Sequence, residues 1–242
     1  MTQSGPIIVP KDARVFVLTG AGISAESGIR TFRDANGLWE EHRVEDVASP
    51  EGWARDPSLV WRFYSQRRAQ AGRCAPNPAH VALAALERAL GDRLFLCTQN
   101  VDPLHEKAGS RDVVHMHGEL FKTRCERCDR APFWDDAEYT AELPRCDECG
   151  GRLRPHICWF GEVPFEMDVI GRALDACDLF VTVGSSGVVY PAAGFVRAVR
   201  RRRDPARTIY VGPEEPDNAG AFDEHRIGKA GAVLPDLFAV ET

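Results

Sequence analysis

A run of apolar residues, Val15-Phe16-Val17-Leu18, feeds directly into Thr19-Gly20-Ala21-Gly22. A strand that empties into a glycine turn is how α/β proteins bring bare main-chain N–H groups to a pyrophosphate. Gly20 to Ala25 (GAGISA) fits the GxGxxA form of the dinucleotide fingerprint. The hydride-transfer version adds a second strand ending in an acid about 20 residues later. Glu40 and Glu41 stand at that distance but follow Asn36-Gly37-Leu38-Trp39, which does not read as a strand. The segment therefore suits a dinucleotide and argues against an ordinary dehydrogenase. Ser24, Ser27, Gly28, Thr31, Phe32 and Arg33 add more polar and aromatic detail than a turn needs.

Further strands are expected at Leu94–Thr98, Val113–His115, Leu179–Val183 and Thr208–Val211, with helices over Pro57–Gln70 and Pro78–Leu90. Pro78 in the first helical turn and the Ala/Leu spacing behind it support the second helix. Four strand ends, TGAG, TQNVD, VGSS and VGPEE, carry glycine or polar residues. In an open parallel sheet such ends share one ligand edge. The expected fold is α/β, a Rossmann-like parallel sheet with helices on both faces. Between Phe121 and Arg154 the periodicity fades and charge rises, which reads as a small insert and not a second globular domain. The basic run Arg197–Arg203 reads as a solvated helix end favoured by the helix dipole.

The chain has 242 residues, 44% of them apolar, and a formal net charge of −6. That length holds one large α/β domain with a small insert. The acidic balance argues against nucleic-acid binding over the whole surface. The first residues lack the pattern of a secretory signal and no window resembles a membrane span, so a cytoplasmic protein is expected.

Cys125, Cys128, Cys146 and Cys149 form two CxxC pairs seventeen residues apart. Two such turns complete a tetrahedral all-cysteine zinc site, which leaves no open position and is therefore structural. A disulfide framework is the weaker alternative. His117, in His115-Met116-His117-Gly118, suits a general base. His115 lies two residues away and on the same face of an extended segment, so the pattern does not separate the two. Tyr64 and Arg67 share a helix face. An arginine beside a phenol makes a carboxylate receptor, but a core tyrosine beside a surface arginine is the commoner arrangement.

GAGISAESGIRTFR, TQNVDPLH, HMHGEL, the four cysteines, RPHICWFGE and GSSGVVYPAAGF together resemble the sirtuin family of NAD-dependent protein lysine deacylases, and FYSQRR resembles its bacterial CobB-type and desuccinylase members. The resemblance implies one catalytic domain over 1–242: a large NAD-binding part (about 10–38, 75–120 and 155–242) and a small part from a helical insertion (about 39–74) and a zinc insertion (about 121–154). It implies that NAD is consumed, that one structural zinc is held, and that the partners are acylated-lysine proteins, with a monomer and no nucleic acid or membrane. It assigns the base to His117. It places Gly20, Ala21, Gly22, Ser24 and Ala25 at the phosphates, and Phe32, Arg33 and Trp39 at the nicotinamide ribose. Gln99, Asn100, Val101 and Asp102 line the nicotinamide pocket; Gly184, Ser185, Ser186, Gly212 and Ala230 lie towards the adenosine. Phe160, Gly161, Glu162 and Val188 would hold substrate peptide as an added strand, and Tyr64 and Arg67 would take the carboxylate of a succinyl- or malonyl-lysine. The products would be lysine, nicotinamide and O-acyl-ADP-ribose. A non-catalytic NAD or ADP-ribose module and a protein ADP-ribosyltransferase are the alternatives. Two positions depart from the family pattern: Pro103 after Asp102, and Gly212 in place of an asparagine.

Overall fold

The computed structural model describes residues 5–30, 38–39, 42–140 and 142–241. Its strands are β1 (Ile7–Val9), β2 (Val15–Thr19), β3 (Leu38–Trp39), β4 (His42–Arg43), β5 (Leu94–Thr98), β6 (Val113–His115), β7 (Gly118–Cys125), β8 (Phe133–Trp134), β9 (Leu153–Ile157), β10 (Leu179–Val183), β11 (Arg207–Gly212), β12 (Glu224–Ile227) and β13 (Phe238–Val240). Six of them form one parallel sheet in the order β12-β11-β10-β2-β5-β6. The winding reverses between β2 and β10, and such a reversal opens a ligand crevice at the carboxyl ends of the strands. The four polar strand ends belong to β11, β10, β2 and β5, which are neighbours, so they do share one edge.

Side chains alternate across this sheet. Val15, Val17, Leu96, Val181 and Ile209 pack on one face with Leu83, Leu86 and Leu90 of the helix Pro78–Leu90. Phe16, Leu18, Phe180 and Tyr210 pack on the other with Ile170 and Leu174 of the helix Met167–Ala176 and Phe195 of the helix Phe195–Arg200. With both faces covered, the central strands read as unbroken apolar runs. The Pro78–Leu90 helix starts where Asn77 accepts from the Ala79 amide at 2.9 Å, while the His80 ring takes the Asn77 amide at 3.3 Å. This reciprocal cap satisfies donors that a helix start leaves open.

The insert is more ordered than its composition suggests. β7, β8 and β9 make an antiparallel sheet in the order β8-β7-β9. The long helix Pro57–Arg73, three residues longer than expected, lies against β7 and β9 and buries Val60, Trp61, Phe63 and Tyr64 with Trp53, Leu120, Ile157 and Trp159. Arg68 fastens the helix to the insert: its guanidinium donates to Leu120 O at 2.8 Å and Thr123 Oγ1 at 2.9 Å and pairs with Asp135 at 3.2 Å. No described helix is long and apolar enough to cross a membrane.

Candidate active site

The glycines at the reversal point permit close approach of two loops. A Cβ on Gly22 would stand 2.8 Å from Gly184 Cα, and one on Gly20 would stand 2.9 Å from Gly184 O. Gly184 itself has φ +62°, a region that favours glycine. The sequence suggested bare amides at Gly20 and Gly22. Instead they donate to Val183 O at 2.9 Å and Gly184 O at 2.8 Å. These two glycines therefore knit the β2 and β10 loops together and shape the crevice, and half-buried Ala21 lies between them.

Gln99, just past β5, joins three parts of the edge. Its amide donates to Thr19 O at 2.9 Å, its side chain to Ser185 Oγ at 3.0 Å, and its carbonyl faces His117 Nδ1 at 3.1 Å. A carbonyl only accepts, so Nδ1 carries the proton and Nε2 keeps its lone pair. Burial pulls the His117 imidazole below its ordinary value, against an upward pull from the Gln99 carbonyl. His115 is differently placed, with Nδ1 against Asn100 O at 3.1 Å and Nε2 against Glu106 at 2.7 Å. Burial, the largest single influence, pulls its pKa down, but the Glu106 and Glu119 carboxylates and the Asn100 carbonyl together make the net shift upward. The structure thus separates two histidines that the sequence left equivalent.

A buried polar floor lies beneath the β2 and β5 ends. Ser24 donates to Asp102 at 3.0 Å, and Asn100 Nδ2 donates to Ser24 Oγ at 3.1 Å. His80 Nε2 lies 3.4 Å from the same hydroxyl, and burial lowers its pKa to about 4. Burial raises the Asp102 pKa, opposed by the Leu104 amide and the Ser24 hydroxyl. Pro103 is accommodated as the residue before the short helix Leu104–Lys107, whose first amide Asp102 caps at 3.2 Å. Val101 is half-buried and accepts from Leu120 N at 2.8 Å. At the far end of the edge, a Cβ on Gly212 would meet the Tyr210 hydroxyl at 2.2 Å, so this phenol fills the space of a side chain there. Ala25 is exposed; Ala230 is buried on the sheet, and the next amide, Gly231, donates to Glu26 at 2.8 Å. Ser186 accepts from the Asp217 amide at 3.0 Å. Phe32 and Arg33 lie outside the described residues, as does the side chain of Trp39.

Two segments expected to meet a peptide carry exposed apolar side chains: Phe160 and Val188 are each 51% exposed. Gly161, with φ +91°, turns the first of them. The Glu162 carboxylate points inward, bidentate to Arg154 at 2.8 and 3.0 Å. Tyr64 and Arg67 are both buried, at 0% and 7% exposure. Arg67 donates to Gln70 at 3.0 Å, and Tyr64 accepts from the Trp159 indole at 3.1 Å. A surface arginine is thus excluded. Burial raises the Tyr64 pKa far above its ordinary value, so it is a neutral phenol. Arg68, Arg154 and Trp159 lie inside the quoted motifs FYSQRR and RPHICWFGE but had no role assigned there, because a buried charge beside an aromatic leaves no periodic signal.

All eight cysteines are free. The four expected ligands have sulfurs within 4.8 Å of one another, with Cys125–Cys149 at 3.5 Å and Cys128–Cys146 at 3.8 Å. Four thiolates about 2.3 Å from a tetrahedral zinc would lie about 3.8 Å apart, whereas a disulfide needs about 2.05 Å. The Arg127 amide donates to Cys125 Sγ and the Gly151 amide to Cys149 Sγ, each at 3.3 Å. Such donors favour the thiolate, and the Arg127 and Cys128 amides bring Cys125 down to about 6. The cluster fits zinc.

A parallel sheet of this winding, with His117 at its crevice and a four-cysteine insert compatible with a metal, defines a Rossmann-like α/β protein. The Sir2 family model matches residues 20–191, and the chain belongs to that family. It is 52% identical over 233 residues to an NAD-dependent protein deacylase of Pasteurella multocida (95% of this chain, 98% of that one). Identity to an NAD-dependent protein deacylase of Salmonella typhimurium is 51% over 235 residues (95% and 85%). Among solved structures, a Sir2 homologue–NAD complex superposes with a TM-score of 0.83 at 42% identity, covering 93% of this chain and 88% of that one. A Sir2 bound to acetylated peptide superposes with a TM-score of 0.76 at 27% identity, covering 90% and 89%.

Proposed function

We propose that the chain is an NAD-dependent protein-lysine deacylase that removes succinyl and malonyl groups, and acetyl groups alongside. NAD is a substrate here, consumed in each turnover. The observation that carries the reading is the His117 Nδ1–Gln99 O contact of 3.1 Å, which leaves Nε2 as a base at the crevice edge. His117 takes a proton from a ribose hydroxyl; the acyl oxygen bonds to the ribose carbon as nicotinamide leaves with the bond electrons. The activated ribose hydroxyl then bonds to the acyl carbon, the lysine nitrogen takes up a proton and leaves, and one water is consumed, giving lysine, nicotinamide and O-acyl-ADP-ribose. Asn100, Asp102 and Ser24 form the polar floor at the nicotinamide end, and the Gly184–Ser186 loop faces the adenosine half. The names of the Pasteurella and Salmonella relatives support this activity.

The acyl preference rests on Tyr64 and Arg67. A buried guanidinium beside a neutral phenol holds a carboxylate through charge-assisted hydrogen bonds, which outweigh neutral ones. Zinc, held by Cys125, Cys128, Cys146 and Cys149, supplies a cross-link with no vacant coordination position. The test is Arg67→Met with succinyl- and acetyl-lysine peptides of one sequence. A lost hydrogen bond to a charged group costs about 1.5–3 kcal/mol, so desuccinylation falls by about tenfold to hundredfold more than deacetylation. Equal losses on both substrates remove Arg67 from the carboxylate role.

A further inference from the structure

We infer that Trp159 is a positioning residue for the Tyr64 hydroxyl, and that Glu162 and Arg154 hold Trp159 in place, so that one rigid relay joins the peptide-gripping segment to the acyl receptor. The inference rests on the reading of Tyr64 and Arg67 as a carboxylate receptor.

The relay is continuous in the structure. Glu162 accepts from the Trp159 amide at 2.8 Å and from Arg154 Nη1 and Nη2 at 2.8 and 3.0 Å. Arg154 Nη2 also donates to Ile157 O at 3.0 Å, and its guanidinium carbon lies 3.4 Å from the centre of a Trp159 ring. The indole is thus set by its own backbone, by a cation on its face and by Trp53, whose ring centroid is 5.7 Å away. Its Nε1 then donates to the Tyr64 oxygen at 3.1 Å.

The direction of that last bond matters. An indole nitrogen only donates, so the phenol oxygen accepts and its own hydrogen is turned away from Trp159. A hydroxyl that accepts one hydrogen bond donates a stronger one. Trp159 therefore orients the Tyr64 proton and improves it as a donor to an acyl carboxylate. An acetyl group has no carboxylate and gains nothing from this. Phe160 and Gly161 lie between Trp159 and Glu162, so the segment proposed to bind the peptide backbone and the receptor for the acyl tail share one set of anchors.

The test compares kcat/KM for succinyl- and acetyl-lysine peptides in the full chain. Trp159→Phe keeps a ring against Arg154 and removes the indole donor. It lowers the succinyl-to-acetyl ratio by about threefold to tenfold, the effect of one neutral hydrogen bond. Trp159→Met, an adaptable gap-filler with no donor, repeats the measurement should phenylalanine loosen the core, and gives the same shift. In a Tyr64→Phe background the substitution changes the ratio by less than about twofold, because coupled partners do not add. The inference is overturned if both Trp159 variants depress the two substrates equally, or if the ratio falls as far without the Tyr64 hydroxyl. Arg67→Met is measured alongside: a ratio unmoved by it defeats the carboxylate reading itself. A ratio collapsed by Arg67→Met but untouched at Trp159 defeats only the relay.

Discussion

His117 Nδ1 lies 3.1 Å from the main-chain oxygen of Gln99, and that contact settles which ring nitrogen can take a proton. A base must be neutral to act. Burial draws its pKa below 6.5, so the neutral form persists to lower pH than for an exposed histidine. Activity is kept above the depressed pKa and lost as pH falls through it. The acid limb of kcat/KM therefore lies below pH 6.5, and His117→Ala lowers turnover by about 10²- to 10⁴-fold. A limb above pH 6.5, or full NAD-dependent turnover in the alanine variant, removes His117 as the base.

The Gly184 loop has no room for a side chain. A Cβ there would lie 2.5 Å from the Ile23 amide nitrogen, on a backbone with φ +62°. The left-handed conformation alone costs a non-glycine residue about 1–2 kcal/mol, and the contact forces the β2 and β10 loops apart. Gly184→Ala is expected to weaken NAD binding by at least about tenfold in calorimetry. Unchanged affinity places the dinucleotide elsewhere.

The four cysteine sulfurs and the proposed acyl receptor share one core. Cys125, Cys128, Cys146 and Cys149 cluster with Trp53, Trp61, Trp159 and Tyr64. Metal bound at a structural site contributes its binding energy to folding, so loss of zinc from these sulfurs is expected to loosen the core they pack against. Intact-protein mass spectrometry is expected to find one zinc per chain. A strong chelator, or Cys146→Ser, is expected to change tryptophan fluorescence and abolish activity together. Retention of both after complete metal loss contradicts a structural zinc.

Acid stability follows from His80. Its folded pKa of about 4 lies below the ordinary value of 6.5 because burial disfavours the charged form. Its contribution is fully present above pH 6.5 and is lost as pH falls towards 4. At pH 5 the loss is about 2 kcal/mol, and buried His105, lowered to about 3, adds with the same sign. Urea unfolding at pH 6.5 and 5 measures it, and His80→Gln is expected to flatten the difference. An equally steep loss in that variant assigns the acid sensitivity to other groups.

Sequence and structure agree where one physical constraint acts alone. Buried parallel strands must be apolar on both faces, so Leu94–Thr98 and Leu179–Val183 are legible to the residue. β12 was not, since its Glu-His-Arg-Ile sequence forms an edge strand with only part-buried residues before exposed Ile227. β9 hid for a different reason. Its Leu-Arg-Pro-His-Ile looks like loop, yet Arg154 is buried by stacking on Trp159 and pairing with Glu162. The glycine loop was legible as a crevice, but the destination of its amides was not, because that depends on a strand about 160 residues away. His115 and His117 differ only in what surrounds them, which spacing does not encode.

The central claim is tested most directly by counting products. Acetyl-, malonyl- and succinyl-lysine peptides of one sequence are incubated with the chain, with and without NAD, and nicotinamide and free lysine are quantified together. The account predicts one nicotinamide for each lysine freed, no lysine without NAD, and the succinyl peptide turned over alongside the acetyl one. Lysine freed without NAD, or nicotinamide released with no acyl group lost, contradicts it.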